Sequence, residues 1–181
     1  MNSDLIMVDI FDNPIGFVSK EEAHKKGVLH RAFSVFIYHG NKILLQKRAK
    51  GKYHSGGLLT NTCCSHPRSE NITEEAQKRL FEETGIKCNS LHEIFSFNYF
   101  TKFNSNLFEY EIDHVFIGDY YGPFEPNKDE VETLEWFSFD DIALEIAKNP
   151  QKFTTWFLIA LPKVVEHIKN EQTAKIKSVL N

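Results

Sequence analysis

Cysteine, methionine, tryptophan and proline are scarce: 3, 2, 2 and 6 in 181 residues. The cysteines, Cys63, Cys64 and Cys88, exclude a disulfide framework, because their number is odd and adjacent cysteines rarely bridge. A reducing compartment, the cytoplasm, is the simpler expectation. No apolar run approaches the length of a membrane span. The opening MNSDLIMVDIFD holds Asp4 and Asp9 and no long apolar core, so it does not read as a signal peptide. Neither sign of charge dominates: 21 basic and 25 acidic residues leave a formal charge of −4. That balance argues against dominant non-specific nucleic-acid binding and leaves room for a local basic patch. An anionic small substrate would need cations or a metal gathered locally. Phenylalanine is plentiful instead, with 16 residues in a chain that is 41% hydrophobic, which excludes general disorder. The length suits a single domain, 1–181, with a substantial core. Repeats, linkers and low-complexity segments are also absent.

The apolar pattern predicts an α+β fold with a mixed, largely antiparallel sheet and flanking helices. LIMVDIF (5–11) reads as a strand closed by the turn Asp12–Asn13–Pro14. Residues 19–26 suit a short helix ended by Gly27. AFSVFIYH (32–39), Gly40–Asn41 and KILLQKR (42–48) form the clearest hairpin. Gly51, Gly56 and Gly57 mark a flexible loop, and LLTNTCC reads as a strand ending near Cys64. Asn71–Glu83 is the best helix, stopped by Gly85. Ile72, Ala76 and Leu80 form its apolar stripe; Glu75, Arg79 and Glu83 form a polar stripe beside it. Strands follow at 92–103 and 108–118 with a turn at 103–106, then a polar loop at 120–130 and a strand at 132–139. DDIALEIAKNP and WFLIALPKVVEHIK close the chain as helices, the second a candidate for bending at Pro162.

Glu109 and Glu111 flank Tyr110 on a predicted strand, so the period of two puts both carboxylates on one face. Their apolar surroundings direct them inward, where two like charges need neutralising. A divalent cation held by His24, His30, His66, Glu109 and Glu111 would do so. Imidazole with carboxylate suits Mn, Zn or a similar first-row ion, whereas Mg favours oxygen. The alternative is a solvated strand face. His39, His54, His92 and His167 read as surface or satisfied core residues. Cys63 and Cys64 point in opposite directions on a strand, one into the core and one into a cleft. A reactive Cys64 needs positive charge nearby. A structural zinc knuckle would need cysteines that the chain lacks. Lys20, Lys47, Arg48, Lys50 and Lys52, with Arg79, are either a phosphate clamp or a solvated face.

HKKGVLHRAFSVFIY, ILLQKRAKGKYHSGGLLTNTCCSHPR, ENITEEAQKRLFEETG and FEYEIDHVF together resemble type 1 isopentenyl-diphosphate isomerases, a branch of the Nudix-like fold. The likeness spans roughly residues 4 to 160, and TNTCCSHP is its most specific element. A typical Nudix box has Gly at Cys64 and an Arg–Glu pair at Lys78–Arg79, while Glu82, Glu83 and Gly85 keep its ending. The altered box argues against diphosphate hydrolysis. The competing functions are a Nudix-type diphosphate hydrolase and a non-catalytic, metal-dependent phosphate-binding protein.

The resemblance implies interconversion of isopentenyl and dimethylallyl diphosphate, with proton transfer at C4 and C2. It gives Cys64 and Glu111 the proton-carrying roles on opposite faces of the substrate, with Tyr99 assisting Glu111. It gives one metal, Mn2+, Mg2+ or Zn2+, to His24, His30, His66, Glu109 and Glu111. A Mg2+ ion on the substrate diphosphate falls to Glu83. Lys20, Arg48, Lys52 and Arg79 contact the diphosphate, and Trp156 walls the hydrocarbon end. Leu59 stands where an aromatic is common. The expected partner is a small isoprenoid diphosphate rather than nucleic acid or membrane, and the expected state is a monomer or weak dimer.

Overall fold

The computed structural model describes residues 4–104 and 106–180. In chain order the elements are β1 (Asp4–Val8), β2 (Pro14–Ser19), α1 (Lys20–Lys26), β3 (His30–His39), β4 (Lys42–Arg48), β5 (Leu59–Thr60) and β6 (Cys63–Ser65). Then come α2 (Ile72–Thr84), β7 (His92–Asn104), β8 (Leu107–Asp119), β9 (Val131–Ser138), α3 (Phe139–Lys148) and α4 (Thr155–Leu180). A single 3₁₀ turn at Pro150–Lys152 links the last two helices. The turn expected at 103–106 includes Ser105, which lies outside the described residues.

β3 is the axis. It runs antiparallel to β1, β4 and β6 and parallel to β8, which in turn pairs antiparallel with β7. The β3–β8 pair is the parallel one in an otherwise antiparallel sheet. Nine of β3's ten residues are buried, as a strand covered on both faces requires. Phe33, Val35 and Ile37 face Ala76 and Leu80 of α2. Phe36 and Tyr38 face Ile142 of α3 and Phe157, Val164 and Ile168 of α4. Phe157 lies between the rings of Phe36 (5.8 Å) and Phe153 (5.4 Å), stacked on each. Burying one such ring contributes about 1.5–3 kcal/mol.

Several expected boundaries move, each for a local reason. β1 stops at Val8 because the Asp9 carboxylate accepts from the backbone N–H of Phe11 and Asn13, each at 2.9 Å, and turns the chain. β2 went unread, since Pro14 and Gly16 argue against a strand; at a sheet edge both are tolerated. α4 continues through Pro162 to Leu180, beyond the expected end, with Trp156, Phe157, Ala160, Leu161, Val164 and Ile168 on its buried side.

The expected hairpin of β3 and β4 pairs only at its tip, Tyr38 with Ile43 and His39 with Lys42. Beyond it the strands part: on the edge that faced β3, β4 pairs with β5 at Gln46 and Lys47, while β9 runs along its other edge. The TNT segment fills the gap and splits the expected LLTNTCC strand in two. Thr62 Oγ1 accepts from Ile37 N–H at 2.9 Å and donates to the Leu44 carbonyl at 2.5 Å, bridging the parted strands. Asn61 Nδ2 donates to the carbonyls of Val35 (3.3 Å) and Cys63 (2.6 Å). Buried backbone groups need such partners.

Thr62→Val keeps the shape of this side chain but strands one donor and one acceptor. Urea unfolding should show a loss of roughly 1–3 kcal/mol. Equal midpoints and slopes for the two proteins would mean that the hydroxyl does not join the strands.

Candidate active site and metal centre

The sheet register assembles the site. Across β3 and β8, His30 pairs with Glu111 and Ala32 with Asp113. Across β7 and β8, Tyr99 pairs with Glu111 and Thr101 with Glu109. Across β3 and β6, Ser34 pairs with Cys64. Strand periodicity then puts His30, Ala32, Ser34, Cys64, Tyr99, Glu109, Glu111 and Asp113 on one face. Ser34 pairs with Cys64 on one edge and Val115 on the other, so β6 and β8 flank β3. The proton-carrying candidates Cys64 and Glu111 therefore rise on either side of a floor that includes the small Ala32. A cavity of about 230 Å³ opens there, and Trp156 from α4 forms part of its wall.

His24 arrives from α1. Ser19 caps that helix, its side chain accepting from Glu22 N–H, and Gly27 ends it at φ 65°. A Cβ at Gly27 would add strain in that left-handed conformation and lie 3.4 Å from Phe100. The turn brings the His24 ring to 5.2 Å from His30 and 5.9 Å from His66, between centroids. His66 sits two residues beyond Cys64, past the end of β6.

The histidines are set for ligation. His24 Nδ1 meets the Lys20 carbonyl at 2.7 Å, and His30 Nδ1 meets the Val28 carbonyl at 2.8 Å. A carbonyl only accepts, so each Nδ1 carries the hydrogen and Nε2 is left to face the site. The His24 Nε2 is buried without a hydrogen-bond partner, and the buried His30 Nε2 has Glu111 Oε1 at 3.3 Å. Donor atoms of His24, His30, His66 and Glu111 lie within 4.8 Å of one another, His66 Nε2 being 2.9 Å from Glu111 Oε1. Those atoms, converging on one carboxylate, fit a divalent cation.

Glu109 falls outside that group of four and into a second one with His24 and His54. His54 Nε2 lies 2.8 Å from Glu109 Oε1. Sequence reasoning passed over His54 because neither neighbouring charge nor spacing marks it. Tyr99 bridges the two carboxylates, its hydroxyl 3.0 Å from Glu109 Oε2 and 2.6 Å from Glu111 Oε2.

Burial decides the ionisation. It drives Glu109 well above the usual carboxylate range, helped by the charge of Glu111. It would raise Glu111 too, but contacts with His30 and His66 outweigh it and hold that carboxyl well below the range. Burial likewise pushes against a charged His30, yet Glu111 wins and His30 is raised. Burial lowers His24 and His54 to about 4 and His66 to about 3. It also raises Tyr99 well above the phenol range, with Glu111 and Glu109 adding to it.

Cys64 is partly exposed to the cavity, while Cys63 packs in the core beside α2. Burial pushes the Cys64 thiol up to about 11, and Arg48 works against it. Arg48 Nη1 donates to Cys64 Sγ at 3.2 Å, and its guanidinium lies 5.3 Å from the Trp156 ring. Trp156 is anchored in turn by its Nε1–H, which donates to Asn61 Oδ1 at 3.1 Å.

Lys20, Arg48, Lys52 and Arg79 all line the cavity, as does Glu83. Lys47 does not; it pairs with Glu132 on the sheet surface at 3.0 Å. Lys50, also among the expected cations, is exposed outside the cavity lining. Arg68 and Glu130 are lining residues that sequence reasoning missed. Glu130 pairs with Lys52 and sits 3.6 Å from Arg79, whose guanidinium also holds Glu82 and Glu83. Acid and base alternate here because the polar stripe of α2 faces the Lys52 segment. Leu59 packs against the cluster that contains Trp156, and Phe153 bridges to its backbone.

A family model described as NUDIX domain matches residues 28–157. The chain is 44% identical over 167 residues to isopentenyl-diphosphate Delta-isomerase 2 of Aromatoleum aromaticum, covering 91% of this chain and 88% of that one. It is 41% identical to isopentenyl-diphosphate Delta-isomerase of Photobacterium profundum, covering 97% and 99%. Among solved structures, DR0079 from Deinococcus radiodurans superposes with a TM-score of 0.71 at 17% identity, covering 91% and 98%. A MutT Nudix hydrolase from Burkholderia pseudomallei does so at 0.61 and 22%, covering 75% and 98%. At those identities the structures share the fold alone.

Ligation requires Glu109 and Glu111 ionised and His30 neutral at Nε2. The raised Glu109 and His30 each release a proton to solvent when a cation binds, so affinity should fall as pH drops and rise as it climbs. For His30 the change lies above its ordinary value of 6.5. Calorimetric Mn2+ titrations in two buffers of different ionisation enthalpy count the protons released. Binding with no proton release and no pH dependence would show that these groups do not hold the ion.

Proposed function

We propose a division of labour among the cavity residues on the premise that the chain belongs to the Nudix family and, within it, to the isopentenyl-diphosphate isomerases. The protein is an isomerase that interconverts isopentenyl diphosphate and dimethylallyl diphosphate. A proton enters at C4, another leaves C2, and the double bond moves between them. An unactivated alkene is a weak base, and its protonation leaves a carbocation-like centre that water would trap. The site must exclude water and hold opposite charge close by.

One observation carries the assignment: Cys64 and Glu111 stand on strands flanking β3, facing a shared cavity. That arrangement supports proton addition and removal on opposite sides of a flat alkene. Glu111, which its neighbours hold ionised, takes up a proton shared with His30 and the Tyr99 hydroxyl and delivers it to C4, and Cys64 removes the one at C2. The reverse direction exchanges their duties. Burial leaves the Cys64 thiol at about 11 even with Arg48 beside it, and Arg48 at 3.2 Å is the group placed to stabilise the thiolate that acts as base. The Trp156 ring offers a π face to the developing cation.

Lys20, Arg48, Lys52 and Arg79 hold the diphosphate, and Glu83 shares its Mg2+ ion. These remote contacts anchor a five-carbon tail too small to bind tightly alone. His24, His30, His66, Glu109 and Glu111 hold a second divalent ion, Mn2+, Zn2+ or Mg2+. When bound, that ion supplies positive charge that orients Glu111 and tunes its acidity. Hydrolysis is disfavoured because Arg79 stands in place of the Nudix-box glutamate and its guanidinium is paired with Glu83. One sheet runs through the chain, which supports a single domain over 1–181. Three free thiols support a reducing compartment, the cytoplasm. No helix of the described residues is long and apolar enough to cross a membrane. The acidic balance supports a small-molecule substrate over nucleic acid, and a monomer or weak dimer is the state we assign.

Cys64→Ala should lower turnover at least 10²–10⁴-fold while substrate still binds, and Cys63→Ala should leave turnover near normal. Equal losses at both cysteines would sink the choice between them. In deuterated water, dimethylallyl diphosphate made from isopentenyl diphosphate should carry label at the former C4 methylene carbon. Glu111→Gln should abolish this incorporation. Label without Glu111, or phosphate release in place of isomerisation, would overturn the assignment.

A further inference from the structure

Of the two imidazoles among the cavity-lining residues, His54 is the one that the proposed catalytic scheme leaves unused. It lies in the segment between Gly51 and Gly56, and its side chain is nearly buried, at 7% exposure. The ring stacks on Phe103 at 4.7 Å and 19° and meets Trp156 edge-on at 6.1 Å and 89°. Its backbone carbonyl accepts from Arg48 Nη2 at 3.4 Å, while the other arm of that guanidinium donates to Cys64. Its Nε2 faces Glu109 Oε1 at 2.8 Å.

The hydrogen bonds separate His54 from His24 and His30. At His24 and His30 a backbone carbonyl claims the Nδ1 hydrogen, which leaves Nε2 as a donor atom for an ion. At His54 the Nδ1 neighbour is the Ser55 hydroxyl, 3.3 Å away, which donates as readily as it accepts. The His54 hydrogen is therefore free to sit on Nε2 and point at Glu109. Tyr99 holds Oε2 of that carboxylate at 3.0 Å. A carboxylate gripped at both oxygens has one orientation. His54 is absent from the four-membered group of His24, His30, His66 and Glu111 and shares only the smaller one with His24 and Glu109.

We propose that His54 is a positioning residue of the metal centre: its Nε2–H fixes the Glu109 carboxylate, and its ring, clamped between Phe103 and Trp156, fixes His54. The inference rests on reading Glu109 as a metal ligand. It makes metal affinity depend on the same glycine-flanked segment that carries Lys52 to the cavity.

Mn2+ affinity of the full chain, followed by the loss of the free-ion paramagnetic resonance signal, tests the idea. His54→Phe keeps the stacking and removes the donor; it should bind Mn2+ roughly 10–100-fold more weakly, as losses of groups that orient ligands do. His54→Gln, with an amide N–H, should recover most of the affinity. At saturating Mn2+ the number of nitrogens coupled to the ion should match the parent in every His54 variant. Parent-like affinity in His54→Phe overturns the proposal, and so does a missing nitrogen, which would make His54 a ligand. Glu109→Gln separates the two claims. If it binds Mn2+ like the parent, the reading of Glu109 has failed; if it binds weakly while His54→Phe does not, only the role of His54 has.

Discussion

Two carboxylates buried two residues apart on one strand set the terms for the rest of this protein. Glu109 and Glu111 are 3% and 5% exposed, and both meet one tyrosine hydroxyl. Like charges about 4 Å apart repel by roughly 4 kcal/mol even at an effective dielectric of 20. Desolvation adds several kcal/mol for each ion. Neutralisation must come from the surroundings. His24, His30 and His66 supply it through a shared proton or a shared cation, and the backbone carbonyls of Lys20 and Val28 fix how two of them present their nitrogens. The capped helix α1 and the left-handed turn at Gly27 bring His24 within reach.

The same constraint links metal chemistry to proton chemistry. A carboxyl free to swing in water would titrate in the ordinary range. Glu111, held between His30, His66 and Tyr99, is confined to one place and responds to what its neighbours carry. Opposite it, Cys64 faces the reverse difficulty: its burial opposes charge, and Arg48 is the group placed to favour it. An acid–base pair of opposite tendencies on two sides of a small-floored pocket suits a reaction that adds one proton and removes another. Arg48 belongs both to the cations proposed for the diphosphate and to the surroundings of Cys64, so charge recognition and proton transfer meet at that guanidinium.

Much of this was legible in the linear chain, and for identifiable reasons. The alternation Glu109–Tyr110–Glu111 fixes a common face wherever the strand lies, because strand periodicity is local. The opposed directions of Cys63 and Cys64 follow from the same rule. Asn71 and Gly85 bound α2 through capping preferences that act within one turn. The likeness carried by TNTCCSHP identified the candidate residues together. Where local rules misled, a side chain had taken the backbone's partners: Asp9 shortened β1, and Asn61 and Thr62 split the expected strand and parted the expected hairpin.

Long-range pairing remained hidden. That β3 lies between β6 and β8, so that Cys64 and Glu111 face each other across it, depends on register between segments about 30 to 80 residues apart, which no local pattern encodes. His54 is the clearest example. In the chain it is a lone histidine beside glycines, and only the folding of its loop over the sheet brings it to Glu109. Composition, period and motif determined which residues carry the chemistry and on which face of their own element each stands. Tertiary structure decided which of them meet, because burial and ion pairing act through space between elements that the chain keeps far apart.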